Sequence, residues 1–593
     1  MVKWNDELML KLLKYLRPYW WQVIILLVST GAQVYATLQL PALMADVINK
    51  GIVAEDVGYI WRTGGLMLLI AVVAAACAFL ASFISAKVGA EFAKDVRADL
   101  YAKVLSLNLA DTKDFSTASL INRTTNDIRQ VQETVMMMLS VMLLAPMFCI
   151  ISLIMAIQTA PDMTWIIAVG VAAVIVSVVI IMALVLPKFS IFQKLVDKIT
   201  LLARENLTGL RVIRAFNNEK LEQNKFEKTN SDLTKLSIFL DKVLKLEGPL
   251  INIIFNGLTL LCAYVGITLL NKDFAYLGNM SAFAQYVTYV MMSFIMLSIL
   301  FVMLPRANVC AGRINEVLNI DSKIKWRAET VGVPEKSPSV EFRKVDFRYP
   351  GAEEKVLDDI SFTAKVGETT AFIGSTGSGK STLINLVPRF YEATSGDILI
   401  NGINIKDYSK DDLMKRVGLV PQKGVLFAGT VKSNIAFGAQ SATKEQIRQA
   451  ARIAQADDFI QKLPGGYSAH ISQGGANVSG GQKQRISIAR AICKNPDIFI
   501  FDDSFSALDM KTDAKLRAAL KPITADMVTL IVAQRVNTIK DADQIVVLDD
   551  GKIVGKGKHF ELLGKCPVYR DIVRSQLSDK EYKKEMRLAN ADV

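Results

Sequence analysis

Six long stretches of this 593-residue chain contain no Asp, Glu, Lys or Arg, and no other feature restricts its fold as much. They run from Trp20 to Leu40, Leu66 to Ser85, Val135 to Gln158, Thr164 to Pro187, Pro249 to Asn271 and Ala282 to Leu304. Crossing a hydrocarbon core about 30 Å thick takes ~20 apolar helical residues. One such run could be a buried core helix, but six in succession describe a membrane domain. Charge placement sets its orientation. The N-terminus and the segments 87–134 and 188–248 hold 23 Lys and Arg, whereas the alternate loops hold only Lys50, Arg62 and Lys272. Positive residues stay on the cytoplasmic side, so both termini and the two long loops are expected there. The net charge of +12 is therefore largely topological, and nucleic acid is not an expected partner.

The two inner loops, 48 and 61 residues long, carry apolar positions at helical spacing and few Pro or Gly. They predict membrane helices that continue into the cytoplasm, turn and come back; a small separate domain is the alternative. Six cysteines without a CxxC pair argue against a disulfide framework or a zinc site. Any chemistry that needs histidine has only His470 and His559 to draw on.

After Leu318 the hydropathy falls, and Lys323 to Ser339 is polar, with Pro334 and Pro338. The expected domains are a membrane domain at 1–320, a linker at 321–339, a nucleotide-binding domain at 340–578 and a charged tail at 579–593. Strands alternate with helices from Val340 onward, which predicts an α/β domain. Within it, TAFIG runs into Gly374, Ser375, Thr376, Gly377, Ser378, Gly379, Lys380, Ser381 and Thr382. The glycines let backbone amides wrap phosphates, Lys380 reaches the β and γ phosphates, and the Ser381 hydroxyl suits Mg²⁺. A second apolar strand ends in Asp502 and Asp503, which puts a carboxylate at a strand's C-terminal end, where open α/β sheets bind ligands. Ser-Gly-Gly before a long helix, Ser479 to Gly481, presents bare amides and a positive helix end to an anion.

VSGGQKQR (Val478 to Arg485), joined to these motifs, closely resembles the ATP-binding cassette exporters, as a half-transporter of six membrane helices and one cassette. The fold so implied is an α-helical membrane domain of six long helices fused to an α/β P-loop domain with a helical subdomain. By that resemblance Tyr349 stacks on adenine, Gln422 is the Q-loop residue, and Ser479, Gly480, Gly481 and Gln482 form the signature. Ser506 and Asp509 belong to the D-loop. ATP and Mg²⁺ are the implied cofactors, with Ser381, Gln422 and Asp502 around the metal. In that family two cassettes pack head to tail, and each signature completes the other chain's site. Phe115 to Asp127 and Glu205 to Lys220 resemble the segments that carry the two coupling helices.

Two positions depart from the family. Asp503 stands where Glu polarises the attacking water, and Gln534 stands where a switch histidine is usual. One methylene less withdraws the carboxylate by roughly 1.5 Å, and misplacement of about 1 Å can cost on the order of a hundredfold in rate. Glutamine can form hydrogen bonds but does not titrate like histidine. With an intact signature, this pattern resembles the degenerate-site subunit of heterodimeric bacterial exporters, whose partner half-transporter carries the Glu and the His. Two alternatives remain: a homodimer that hydrolyses slowly, or an ATP-gated channel or regulatory subunit. The charge-free windows favour a hydrophobic or amphipathic substrate within membrane lipid. Gln33, Gln39, Asn256 and Gln285 are polar exceptions, better suited to helix–helix hydrogen bonds than to substrate. The expected location is the bacterial cell membrane.

Overall fold

Apolar windows followed by charged helical sequence produce helices far longer than a bilayer. The computed structural model describes residues 7–112, 115–270, 276–332 and 338–589; Lys3, Asn271, Lys272 and Pro334, used above, lie outside them. The chain divides into two compact units, Met1–Ser106 with Ser116–Ile320, and Leu107–Phe115 with Asp321–Val593.

In the first unit, among the described residues, six helices are long and apolar enough to cross a membrane. Their cores are α1 (Trp20–Asp46), α2 (Val57–Ser106), α3 (Ile128–Thr159), α4 (Trp165–Thr208), α5 (Glu219–Leu270) and α6 (Tyr276–Leu318). With 50 and 52 residues, α2 and α5 extend about 75 Å at 1.5 Å per residue, more than twice the hydrocarbon thickness. Lys87, Lys94, Arg97 and Lys103 lie on the same helix as the Leu66–Ser85 window, so the inner loops are helix extensions. Within that window Leu68 is 70% and Phe79 74% exposed, a surface suited to lipid rather than water. The helices pack chiefly as the pairs α3–α6, α1–α2 and α4–α5. Tyr286, fully buried, donates its hydroxyl to the Leu38 carbonyl at 3.2 Å and so ties α6 to α1.

The tips of the inner loops differ. Asn108 Nδ2 donates to Ser322 Oγ at 2.6 Å, Ser322 Oγ donates to Asp111 Oδ2 at 2.9 Å, and Ala110 packs on the core of the second unit. The stretch that belongs to the nucleotide unit is thus Leu107–Phe115, which shares only Phe115 with the segment Phe115 to Asp127 singled out by resemblance. Thr117–Asn122 is a helix capped by Ser116, and the π turn Arg123–Asp127 follows it. Arg123 donates to the Arg313 carbonyl at 2.6 Å and to Glu316 at 2.8 Å, which binds this segment to α6 instead. The other tip, the helix Leu210–Ala215 and the Phe216 that caps it, exposes Val212 and Phe216.

The second unit holds an antiparallel sheet in the order β2-β1-β4-β5 and a six-stranded sheet in the order β12-β11-β3-β10-β9-β6. In the first are β1 (Ser339–Phe347), β2 (Leu357–Lys365), β4 (Ser395–Ile400) and β5 (Ile403–Asn404). In the second are β3 (Thr369–Gly374), β6 (Val417–Val420), β9 (Ile498–Asp502), β10 (Val528–Val532), β11 (Gln544–Asp549) and β12 (Lys552–Gly557). A two-stranded ribbon, β7 (Gly429–Thr430) and β8 (His470–Ile471), completes the set. β3, β9 and β10 are largely apolar and buried at successive positions, threonines included, because they are covered on both faces. They pair in parallel around β10, so their three C-terminal ends come together at one edge. The helices that matter below are α7 (Lys380–Leu386), α8 (Gly480–Lys494), α9 (Met510–Leu520), α10 (Pro567–Gln576) and α11 (Asp579–Ala589). Lys444–Ile453, Asp457–Lys462 and α8 form the helical part.

The expected charged tail from residue 579 is folded through Ala589. Tyr582, Met586 and Ala589 recur at helical spacing and pack into the core, so apolar burial overrides the surface charge of α11. Beneath it, His559 is buried with Nδ1 2.7 Å from the Tyr569 hydroxyl and Nε2 3.5 Å from Glu585. Burial lowers its pKa, with Lys540 in the same direction and Glu585 and Asp541 opposing. A histidine held neutral contributes stability above its unfolded value of about 6.5 that is lost as pH falls below it. The melting temperature of the chain is therefore expected to drop between pH 7 and 5, and His559→Gln to make that drop shallower. Parallel pH profiles of the two proteins would rule this out.

Candidate nucleotide site

β3 ends at Gly374, and the chain then curls through two glycines of positive φ, Gly377 at +89° and Gly379 at +92°, before α7 begins. At Gly379 a Cβ would stand 2.7 Å from Leu357 Cδ2 and 2.9 Å from the Val356 carbonyl oxygen, so only glycine fits. Lys380 is buried, and its ammonium donates to the carbonyls of Gly374 (2.9 Å) and Ser375 (2.6 Å) and to Ser378 Oγ (3.2 Å). Burial lowers its pKa, while Asp503 and Asp502 act against the fall. Loop carbonyls hold the amine where phosphate oxygens would be bound.

At the end of β9, Ser381 Oγ donates to Asp502 Oδ1 at 3.0 Å, which brings the hydroxyl and carboxylate expected around Mg²⁺ into contact. Burial raises the Asp502 pKa. Asp503 adopts φ +44°, a conformation costly for a residue with a Cβ. Its N–H donates to the Val532 carbonyl at 2.9 Å, and Ser506 Oγ donates to its carbonyl at 2.8 Å. Gln422 Nε2 lies 3.5 Å from its carboxylate. Burial raises the Asp503 pKa, and hydrogen bonds from Ser506, Gln422 and the Gln534 backbone oppose this.

The glycine loop borders a cavity of about 640 Å³ lined by Tyr349, Gly374, Ser375, Thr376, Gly377, Gly379, Lys380, Ser381, Thr382, Gln422 and Gln534, while Ser378, Asp502 and Asp503 stand outside its lining. Tyr349 stands edge-on to Phe347 and Tyr391, and its hydroxyl is 2.9 Å from Thr382 Oγ1. Val356, Ile572, Ser575 and Gln576 also line the cavity, and the sequence reading missed them. Val356 leads into β2, and the other three sit on α10, where no motif marks them; only the helical spacing of PVYRDIVRSQ hints at a shared face. The loop glycines, the buried lysine and the Ser381–Asp502 pair together suit a polyphosphate carrying Mg²⁺.

Ser479, Gly480, Gly481 and Gln482 lie outside this cavity's lining, at the exposed N-terminus of α8. The Ser479 hydroxyl accepts from the Gln482 N–H at 3.3 Å, and the Gln482 carboxamide accepts from the Ser479 N–H at 2.9 Å, forming a reciprocal cap. A Cβ at Gly480 would meet nothing within 4 Å. Asp509 caps α9 through the Thr512 N–H at 3.0 Å, which lowers its pKa. His470 is exposed on β8 and His559 is buried beside α10; neither lines the cavity. In the first unit Gln285 shares a cavity of about 370 Å³ with Thr259, Ser281 and Thr288.

Residues 23–294 match the ABC transporter transmembrane region, and residues 357–506 match the ABC transporter family. An uncharacterized ABC transporter ATP-binding protein, MT1311 of Mycobacterium tuberculosis, is 36% identical over 570 residues, covering 95% of this chain and 97% of its own. The uncharacterized ABC transporter ATP-binding protein YfiB of Bacillus subtilis is 35% identical over 96% of this chain and 98% of its own. A protein of Syntrophus aciditrophicus named ATP-dependent lipid A-core flippase is 31% identical, covering 88% and 86%. The solved structure of a bacterial Atm1-family ABC exporter with ATP bound shares the fold with a TM-score of 0.78 at 22% identity, over 95% of this chain and 99% of that one. Matched in both halves and over nearly its whole length, the chain belongs to the ABC transporter family and is built as an exporter half-transporter, a multi-pass membrane domain followed by a nucleotide-binding domain.

Proposed function

We propose that this chain is the degenerate-site subunit of a heterodimeric bacterial exporter. Its own site binds ATP with Mg²⁺ but turns over slowly, and its signature, Ser479 to Gln482, completes the competent site of a homologous partner that carries Glu and His. The observation that carries this reading is the pair Asp503 and Gln534. Gln534, without a titratable ring, lines the cavity, and Asp503, with a shortened carboxylate, lies 3.5 Å from the cavity residue Gln422. Bound Mg²⁺ would neutralise phosphate charge; Ser381, Asp502 and Gln422 are the residues to hold it. Lys380 and the glycine amides orient the phosphates, and Tyr349 offers a ring to the base. The signature's place outside the chain's own cavity supports a role toward a second nucleotide.

Leu107–Phe115 and the exposed helix Leu210–Ala215 would pass cassette closure to the membrane helices, which move substrate outward by alternating access in the cell membrane, with both termini cytoplasmic. A hydrophobic or amphipathic cargo agrees with the charge-free windows and with the lipid A-core in the name of the Syntrophus relative. One observation favours a homodimer with slow turnover: the P-loop and signature are both intact, and Asp503 still presents a carboxylate to Gln422.

Turnover separates the two. The chain purified alone in lipid is expected to bind ATP yet hydrolyse it at less than about a tenth of the rate of the complex, a barrier difference of ~1.4 kcal/mol or more. Equal rates would remove the heterodimer reading and leave the homodimer.

A further inference from the structure

One wall of the nucleotide cavity comes from none of its motifs. Helix α10 places Tyr569, Ile572, Val573 and Gln576 at i, i+3, i+4 and i+7, along one face. Tyr569 and Val573 are fully buried in the core and anchor the helix, while Ile572 and Gln576 reach the cavity. At its C-terminal end the Gln576 carboxamide uses both ends at once. Nε2 donates to the Gln534 carbonyl at 2.7 Å, and Oε1 accepts the Val536 N–H at 2.8 Å. A carboxamide can make this pair of bonds; an ionised carboxylate lacks the donor, and a thioether lacks an N–H or O–H. Gln534 itself lines the cavity, and Gln422, also in its lining, comes within 3.5 Å of the Asp503 carboxylate. The carboxamide therefore ties α10 to both ends of the segment Gln534–Val536, whose Gln534 stands in the cavity wall.

We propose that Gln576 is a positioning residue of this site, holding the loop Gln534–Val536 against the terminal phosphate and so setting the preference for a nucleoside triphosphate over a diphosphate. The inference rests on reading the cavity as a nucleotide site. Gln534 and Arg535 are exposed, so without the clamp the loop has to be ordered when ligand binds. That ordering falls on the ligand that reaches Gln534, the triphosphate. A diphosphate, held by the glycine loop and Lys380, is spared it.

The test is the ratio of affinities for a non-hydrolysable ATP analogue, AMP-PNP, and for ADP, both with Mg²⁺, measured on the full chain in lipid. Gln576→Met, of similar length but with neither bond, is expected to weaken AMP-PNP about fivefold to tenfold and ADP less than about twofold, the scale of one or two lost hydrogen bonds. Gln576→Asn, which keeps the carboxamide on a shorter stem, should fall between. Arg574→Ala, an exposed change on the same helix, should move neither affinity. Equal weakening of both nucleotides, or of neither, overturns the proposal. Should Gln576→Met lower the melting temperature too far for binding to be read, the Gln576→Asn ratio decides by the same criterion. Because AMP-PNP is not hydrolysed, the ratio is independent of whether Asp503 supports turnover, so failure of the slow-site reading appears in the ATPase rate and not here.

Discussion

Ser479→Arg is expected to cut ATP turnover of the complex with its partner at least about tenfold, ~1.4 kcal/mol of barrier, while leaving ATP affinity at this chain's own P-loop unchanged. The hydroxyl caps α8 and stands beside two bare glycines, so an arginine replaces a small acceptor with a long cation at the helix end meant for phosphate. Loss of the cap alone costs about 1 kcal/mol of helix stability, so Ser479→Thr, which keeps the hydroxyl, is the control and should retain most turnover. Asp503→Glu acts on this chain's own site, where Gln534 still occupies the switch position, and should alter total ATPase little. Lys380→Ala should be intermediate, since it weakens the phosphate binding needed for closure without touching the partner's chemistry. A severalfold rise with Asp503→Glu, together with no effect of Ser479→Arg, would assign catalysis to this chain and end the heterodimer reading.

Gly379→Ala should weaken nucleotide binding to this chain by at least about tenfold, through strain on the order of 1–3 kcal/mol at a left-handed residue plus the collision its methyl creates. The new Cβ would meet Leu357 Cδ2 at 2.7 Å and the Val356 oxygen at 2.9 Å. The first is the end of a side chain, but the second is backbone, fixed by the Val356 N–H bond to the Phe347 carbonyl at 2.8 Å. The loop must therefore move, and the phosphate amides with it. Gly377→Ala is the comparison: φ is +89°, yet nothing lies within 4 Å of its Cβ, so it carries strain without collision and should lose less affinity. Titration with AMP-PNP reads both, and equal losses would mean that crowding against β2 does not shape the loop.

The parts of this protein that were legible in its sequence are those where one residue type has few physical substitutes. A charge inside a bilayer is costly, so uncharged runs mark the membrane helices whatever their neighbours are. A phosphate loop needs bare amides and positive φ, so its glycines are visible without a structure. Asp502 could be placed because the four apolar residues of β9 before it must be buried. The departures at Asp503 and Gln534 were visible against the family pattern, but the φ of +44° at Asp503 was not, since it follows from the turn that brings its N–H to Val532.

Contacts between distant segments were decided elsewhere. Residues 579–589 read as a charged tail because Lys580, Lys583, Lys584 and Arg587 dominate them, yet Tyr582, Met586 and Ala589 bury one face of α11. The stretch that joins the nucleotide unit proved to be Leu107–Phe115, because Asn108 and Asp111 meet Ser322, a partner more than two hundred residues away. Gln576 carries no motif; its bonds to Gln534 and Val536 exist only because α10 is anchored by Tyr569 and Val573 beside β11 and β3. The sequence by itself determined the membrane helices, the phosphate loop and the departures at Asp503 and Gln534, since each depends on local chemistry and short spacing. Which helix walls the cavity, which loop tip joins the nucleotide unit and how β3, β10 and β9 gather their ends were decided by tertiary structure alone, because packing selects partners by complementary surfaces that no short window of residues contains.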